Sequence, residues 1–230
     1  MGQKVNPKSL RLLISKDWES KWISKNLFAF NLLADQIIRE NVYKKFNNVG
    51  INRIIIERSP QENKITIQTS RPGMIIGKNG QGIAELKKII ENKTLSNTNF
   101  SLINSKFGIK KINDIKKKLI NNIRINIVEL RDSNTYAKII AQDISSQLER
   151  RMPYRKVVKK TISKVMTSRI VTGIKIQVSG RLGGVDIARS EKFLEGSIPL
   201  GSIKTNVDYA YISSLTTHGI VGVKVWIYKK

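Results

Sequence analysis

Residues 71–80 read Arg71-Pro72-Gly73-Met74-Ile75-Ile76-Gly77-Lys78-Asn79-Gly80, and this stretch decides the fold of the first half of the chain. An apolar run ends at Gly77, two glycines flank one basic and one polar residue, and an amphipathic helix with Ile83, Leu86, Ile89 and Ile90 follows. Glycines at both ends let the backbone approach a phosphodiester where a Cβ would collide. Lys78 supplies charge, and the start of the next helix supplies unpaired N–H groups and the positive end of a dipole. The loop at Gly77, Lys78, Asn79 and Gly80 is therefore built to grip a single-stranded nucleic-acid backbone.

Other glycine motifs fail on spacing. A nucleotide-binding P-loop needs four residues between its first glycine and Gly-Lys, then Ser or Thr. Here three residues separate Gly73 from Gly77, and Asn79 follows Lys78. Gly77, Gly80 and Gly82 have the reverse of the dinucleotide fingerprint G-x-G-x-x-G. A plain tight turn would account for a lone G-x-x-G; here the apolar flank, the helix behind it and the charge of the whole chain agree with a grip on RNA, as in the KH module.

Working outward, apolar residues Leu32, Leu33, Ile37, Ile38 and Val42 recur at helical spacing and predict a helix over residues 27–46, closed by Asn48 and Gly50. Strands follow at residues 51–58 and 64–69, with Pro60 in the turn between them, and another at 123–130 completes the unit. Residues 95–121 are polar and rich in Asn and Lys; they read as an inserted loop carrying charge, with short helical structure over 112–120. A second unit starts with a helix placing Ala137, Ile140, Ala141, Ile144 and Leu148 on one face. A second helix spans 153–169, with Pro153 in its first turn. Alternation at Ile174, Ile176 and Val178, and again at Val221, Val223 and Val225, marks strands. Helices first and strands after give an α+β chain with an antiparallel or mixed sheet. The division is a basic arm over 1–16 that needs a partner to order it, an RNA-binding domain over 17–132, and a C-terminal α+β domain over 133–230.

Composition narrows the function. Against 17 acidic residues stand 42 Lys and Arg, a formal net charge of +25 in 230 residues. A compact body so charged repels itself unless a polyanion neutralises it, and nucleic acid is the first candidate. No run reaches the ~18 apolar residues of a membrane span, the opening lacks the apolar core of a secretory signal, and Asn6 stands where myristoylation wants Ser or Thr. There is no cysteine, which suits a reducing cytoplasm. A single histidine, His218, makes a zinc or haem site unexpected, so no cofactor and no small-molecule substrate are expected.

The densest basic run holds Arg150, Arg151, Arg155, Lys156, Lys159, Lys160 and Lys164, with no acid between Arg150 and Lys164. On a helical wheel Val158, Ile162, Val165 and Met166 share one face and most of the lysines lie opposite, a helix anchored by one side and cationic on the other. Weaker signals have plainer readings. Trp18 and Trp22, at helical spacing beside Ile23, read as packing. Trp226 alternates with Val225 and Ile227 and reads as half-buried, and His218 as a turn residue. Asp186, Glu191 and Glu195 read as salt-bridge partners of Arg181, Arg189 and Lys192, not as a catalyst.

Several segments together resemble one family. Met1-Gly2-Gln3-Lys4-Val5-Asn6-Pro7, Arg71-Pro72-Gly73 with the loop to Gly80, Ser146-Gln147-Leu148-Glu149-Arg150-Arg151, the run from Ser179 through Gly183, Gly184 and Asp186 to Glu191, and Gly222-Val223-Lys224-Val225-Trp226-Ile227 are similar, in this order, to the bacterial-type small-subunit ribosomal protein S-three family. The resemblance implies a KH type II domain followed by a family-specific α+β domain. It implies binding to small-subunit rRNA in the head beside neighbouring ribosomal proteins, in a cytoplasmic ribosome. It also implies a place at the channel through which mRNA enters, where Arg155, Lys156 and Lys159 would face messenger and help open its structure. Lys4, Lys8, Arg11, Arg181 and Arg189 are further candidates for rRNA. The chain departs from the family in the long 95–121 segment, in Pro153-Tyr154 before the basic helix, and in stopping soon after Tyr228. Two other readings stay open: a free KH-type regulator of single-stranded RNA outside the ribosome, and, with little support, a nuclease or helicase using Asp186 and Glu191.

Overall fold

The computed structural model describes residues 4–24, 28–46, 49–59, 62–96 and 123–230. In chain order its elements are α1 (Pro7–Leu10), β1 (Ser20–Lys21), α2 (Phe28–Lys45), β2 (Ile51–Arg58), β3 (Asn63–Thr69), α3 (Pro72–Ile76), α4 (Gln81–Ser96), β4 (Ile123–Glu129), α5 (Ala137–Glu149), α6 (Tyr154–Met166), β5 (Val171–Gly180), β6 (Arg189–Gly196), β7 (Asn206–Thr216) and β8 (Gly219–Lys229). Asn48, Pro60 and nearly all of the 95–121 segment, to which sequence patterns assign a helix end, a turn and a charged loop, lie outside the described residues. The chain divides into two compact units, Glu19–Leu130 and a second made of Met1–Trp18 with Arg131–Lys230.

In the first unit β2 and β3 pair antiparallel, and β4 then lies parallel to β3. A parallel pair needs a crossover, and α3 and α4 supply it. The order helix, two strands, two helices, strand is the one expected of a KH type II domain. Ile54, Ile56, Ile65 and Ile67 are each at most 1% exposed and pack with Ile38, Val42, Leu86 and Ile90 of the helices. Each contributes about 1.5–3 kcal/mol by leaving water. α2 is rotated slightly from its sequence reading. Leu32 is 55% exposed, while Phe30 and Ala34 are buried, because Asp35 also turns inward to meet Arg58.

That ion pair fixes the entrance to the unit. Arg58 donates through Nη2 and Nε to Asp35 Oδ1 at 2.6 and 3.0 Å, and Trp22 Nε1 donates to Asp35 Oδ2 at 2.8 Å. Trp22 also tilts against Phe28, ring centroids 5.3 Å apart. The helical spacing of Trp18 and Trp22 is thus coincidental. The backbone there is extended, with Ser20–Lys21 paired parallel to β2, and Trp18 and Ile23 face outward.

In the second unit α5 and α6 pack on one face of an antiparallel sheet ordered β6-β5-β8-β7. Ile140, Ala141, Ile144 and Leu148 of α5 meet Val157, Val158, Ile162 and Val165 of α6 over Ile174, Ile176, Val178, Val223, Val225 and Ile227. Asp208, buried on β7, accepts from the Ala137 backbone N–H at 3.0 Å and so caps α5 from a distant strand.

The described part of the N-terminal arm makes contacts within the second unit. Asn6 caps α1 by accepting from Lys8 N at 3.0 Å, and Arg11 then buries its whole side chain in the second unit. Its Nη2 donates to the Ser202 carbonyl at 2.7 Å and its Nε to the Thr205 carbonyl at 2.8 Å, with longer bonds to Pro199, Leu200 and Pro7 carbonyls. Backbone oxygens, not a carboxylate, solvate this cation.

Candidate nucleic-acid interface

Three surfaces carry the residues singled out by sequence. The first is the loop between α3 and α4. Gly77 has φ +69 and Gly80 φ +77, in the region that favours glycine, and Asn79 adopts φ +50, which asparagine tolerates better than most residues. Gly82, just inside α4, allows the close helix packing: a Cβ there would collide with the Ile75 carbonyl oxygen. Lys78 and Asn79 are exposed, and so are Met74 and Ile76 beside them, at 56% and 38%. An exposed cation and exposed apolar side chains thus flank a glycine loop whose backbone is open to close approach. A phosphate can lie along the loop beside Lys78 and a base against Met74 or Ile76.

The second surface is α6. Val157, Val158, Thr161, Ile162 and Val165 are buried, while Arg155, Lys156, Lys159, Lys160 and Lys164 are exposed. Among the described residues those four lysines make no ion pair. Arg155 differs. Its Nη2 donates to Glu191 Oε1 at 2.9 Å, and Tyr154 Oη donates to the same oxygen at 2.8 Å. These hydrogen bonds, first from Arg155 and then from Tyr154, hold the Glu191 carboxyl below its ordinary range. The bond to Glu191, and after it the neighbouring Tyr154 hydroxyl, push the Arg155 guanidinium further up. Arg150 closes α5 and Arg151 follows with φ +61; both are exposed in the connection that leads into α6. A cavity of about 620 Å³ opens at the foot of α6 between Arg151, Met152, Tyr154, Arg181 and His218.

The third set was expected to meet rRNA, and the structure divides it. Lys4 and Arg189 are exposed, and Lys8 is half-buried. Arg181 holds its own turn, donating to the Val185 carbonyl at 3.0 Å and Asp186 Oδ1 at 2.9 Å, while remaining open to solvent on one side. Arg11 is corrected outright: fully buried and bonded to backbone carbonyls, its guanidinium has no face left for a phosphate. The expected acid–base pairing near Arg181 takes the form Arg181–Asp186, but Glu191 turns to Arg155 instead of Arg189 or Lys192.

Lys175, Lys192 and Lys224 lie on the sheet face away from the helices, and sequence reasoning assigned none of them to RNA: Lys192 reads there only as a salt-bridge partner and Lys224 only as part of a family segment. Period-two alternation at Lys175-Gln177 and Lys224-Trp226 is the one signal that they share a face.

An exposed glycine loop of KH geometry in one unit and a cationic helix over an antiparallel sheet in the other define a two-domain RNA-binding protein. Comparison with known families agrees. A KH-domain family model matches residues 37–134, and the model of the ribosomal protein S3 C-terminal domain matches residues 144–227. Small ribosomal subunit protein uS3 of Clostridium tetani is 42% identical over 230 residues, covering all of this chain and 93% of that protein. The uS3 proteins of Clostridium botulinum and Finegoldia magna are 43% and 42% identical over the whole chain, with 92% and 84% of their own lengths covered. The chain belongs to the uS3 family of small ribosomal subunit proteins.

Proposed function

We propose that this chain is a structural constituent of the small ribosomal subunit in the cytoplasm. It binds small-subunit rRNA, packs beside neighbouring ribosomal proteins, and presents α6 to messenger RNA where it enters the particle. The observation that carries the messenger reading is the exposed row Lys156, Lys159, Lys160 and Lys164 on a helix whose opposite face is locked into the core. Such a row neutralises successive phosphates without moving. It competes with base-paired strands for their backbone and performs no catalytic turnover. Any opening of messenger structure is passive, with translocation supplying the work. The loop at residues 77–80, with Lys4, Lys8 and Arg189, holds rRNA.

Two measurements test this. Sucrose-gradient sedimentation of an extract in low and then high salt, with the chain followed by antibody, is expected to place it with the small subunit after the high-salt wash. A light or salt-labile species would favour a free KH-type regulator. Replacing Lys156, Lys159 and Lys160 by Gln is expected to leave the chain in the subunit while slowing translation through a stable hairpin more than through an unstructured message. Equal slowing on both messages would remove α6 from the path of the messenger.

A further inference from the structure

The sheet of the second unit has two faces, and only one is covered by α5 and α6. On the other, strand register lines up three cross-strand rows. The first runs Leu194, Lys175, Trp226, Tyr209; the second Lys192, Gln177, Lys224, Tyr211; the third Ser190, Ser179, Gly222, Ser213. Side chains along a row stand about 5 Å apart and successive rows about 7 Å apart. Cations therefore interleave with aromatic rings in a compact patch.

Details of the patch favour a nucleic acid. Lys175 Nζ lies 5.1 Å from the Trp226 ring centroid, and Trp226 tilts against Tyr209 with centroids 5.3 Å apart. Tyr211 is 56% exposed, and its ring lies across Gly222, where a Cβ would come within 3.3 Å of it. The arm residues Lys4 to Pro7 close one end, leaving a cavity of about 760 Å³ walled by Lys4, Lys175, Lys192, Lys224, Tyr209 and Trp226. None of the three rows contains an acid, since Glu191 and Glu195 alternate to the other side of β6. Burial, then the charges of Lys192 and Lys4, lower the Lys175 ammonium below the ordinary lysine range, a strain that an arriving anion relieves.

We propose that this face is a further RNA-binding surface, which takes a short single-stranded segment with bases stacked on Tyr211 and Trp226 and phosphates against Lys4, Lys175, Lys192 and Lys224. Every base offers a π-face to an aromatic platform, so the surface reads strandedness more than sequence. The inference rests on the chain being an RNA-binding protein, but it requires neither the loop at 77–80 nor α6.

The test is fluorescence anisotropy of a labelled short oligouridylate with the purified full-length chain, over a range of salt. The variants are the pair Lys175→Gln with Lys224→Gln, and separately Tyr211→Ala; thermal melting checks that each folds. A charge-matched control replaces exposed Lys44 and Lys204 by Gln. The sheet-face pair is expected to lower affinity about tenfold and the salt slope by about 1.4, two single-strand phosphate contacts, and well beyond the control. Tyr211→Ala is expected to lose at least about fivefold with the slope unchanged. An oligonucleotide carrying 4-thiouridine should crosslink to β7 and β8. Sheet-face variants that match the control in affinity and slope would overturn the proposal. So would variants that bind RNA normally yet fail to join the small subunit, because the face would then be a protein contact. Failure of the sedimentation test would leave these titrations standing, so the two readings fail separately.

Discussion

Arg155 on α6 and Glu191 on β6 are joined by an N–H···O bond of 2.9 Å, so the first cation of the basic helix is already partly neutralised from within the protein. Arg155 Nε adds a longer bond to the other carboxylate oxygen at 3.3 Å, and Tyr154 Oη makes a third bond to the group. The helix therefore offers its charge as a graded row, with Lys156, Lys159 and Lys160 open and Arg155 held in reserve.

Glu191→Gln releases Arg155 and is expected to tighten RNA binding two- to threefold, with the salt slope rising by up to about 0.7 on single strands. An unchanged or weaker affinity would show that the pair positions Arg155 for RNA instead of masking it. The same pair has a pH signature. The Glu191 carboxyl is lowered by its bonds to Arg155 and then Tyr154, so the contact persists above the ordinary carboxylate range and is lost as pH falls through the lowered value. Binding measured down through acid pH should strengthen in the wild type relative to Glu191→Gln until the two converge.

Removing the arm's clasp should be costly. Arg11→Met removes a charged donor from the Ser202 and Thr205 carbonyls, which keep only their bonds from Thr205 Oγ1 and the Val207 N–H, and the expected loss is about 2 kcal/mol from the second unit. Calorimetry would resolve it as a lower melting transition for that unit with the other unmoved. A loss under about 1 kcal/mol would mean that water replaces the guanidinium.

At the glycine loop, packing and binding separate. Gly82→Ala drives a Cβ into the Ile75 carbonyl oxygen and is expected to destabilise the first unit by about 2 kcal/mol or more. Lys78→Ala, exposed and unpacked, is expected to leave melting within about 0.5 kcal/mol and to weaken RNA binding. If Lys78→Ala binds RNA as the wild type does, the loop at 77–80 meets protein in the particle.

Tyr43 gives the first unit an alkaline limit. Burial, then the charge of Glu19, push its phenol up to about 12, against the opposing effect of Arg39. A raised pKa means that its contribution is intact below the unfolded value near 10 and is lost as pH rises from about 10 to about 12. Urea midpoints across that window should fall more steeply for wild type than for Tyr43→Phe; parallel curves would sink the assignment.

The α+β class, the glycine loop and the cationic helix were legible because each has a strong local signal: G-x-x-G after an apolar run, and an acid-free basic stretch at helical period. β6 was not legible, since Arg189–Gly196 is a polar edge strand with almost nothing buried. With β6 and β7 unread, Lys192, Tyr209 and Tyr211 could not be placed beside Lys175 and Lys224. Arg11 was misread for a related reason. A lone arginine in a basic arm looks solvent-bound until the chain 194 residues later supplies carbonyls for it. Local pattern reveals elements, whereas partners distant in sequence decide which charges remain outside.

That separation has a temporal side. The arm is made well before most of the carbonyls that hold Arg11, which belong to residues 199–205. At roughly 5–20 residues per second, 194 residues take on the order of 10–40 s. The Glu19–Leu130 unit can fold within that interval, whereas the arm stays undocked and accessible to proteases until Thr205 emerges. Closure of the clasp thus waits on residues 199–205, and a product cut short before them leaves Arg11 without those acceptors.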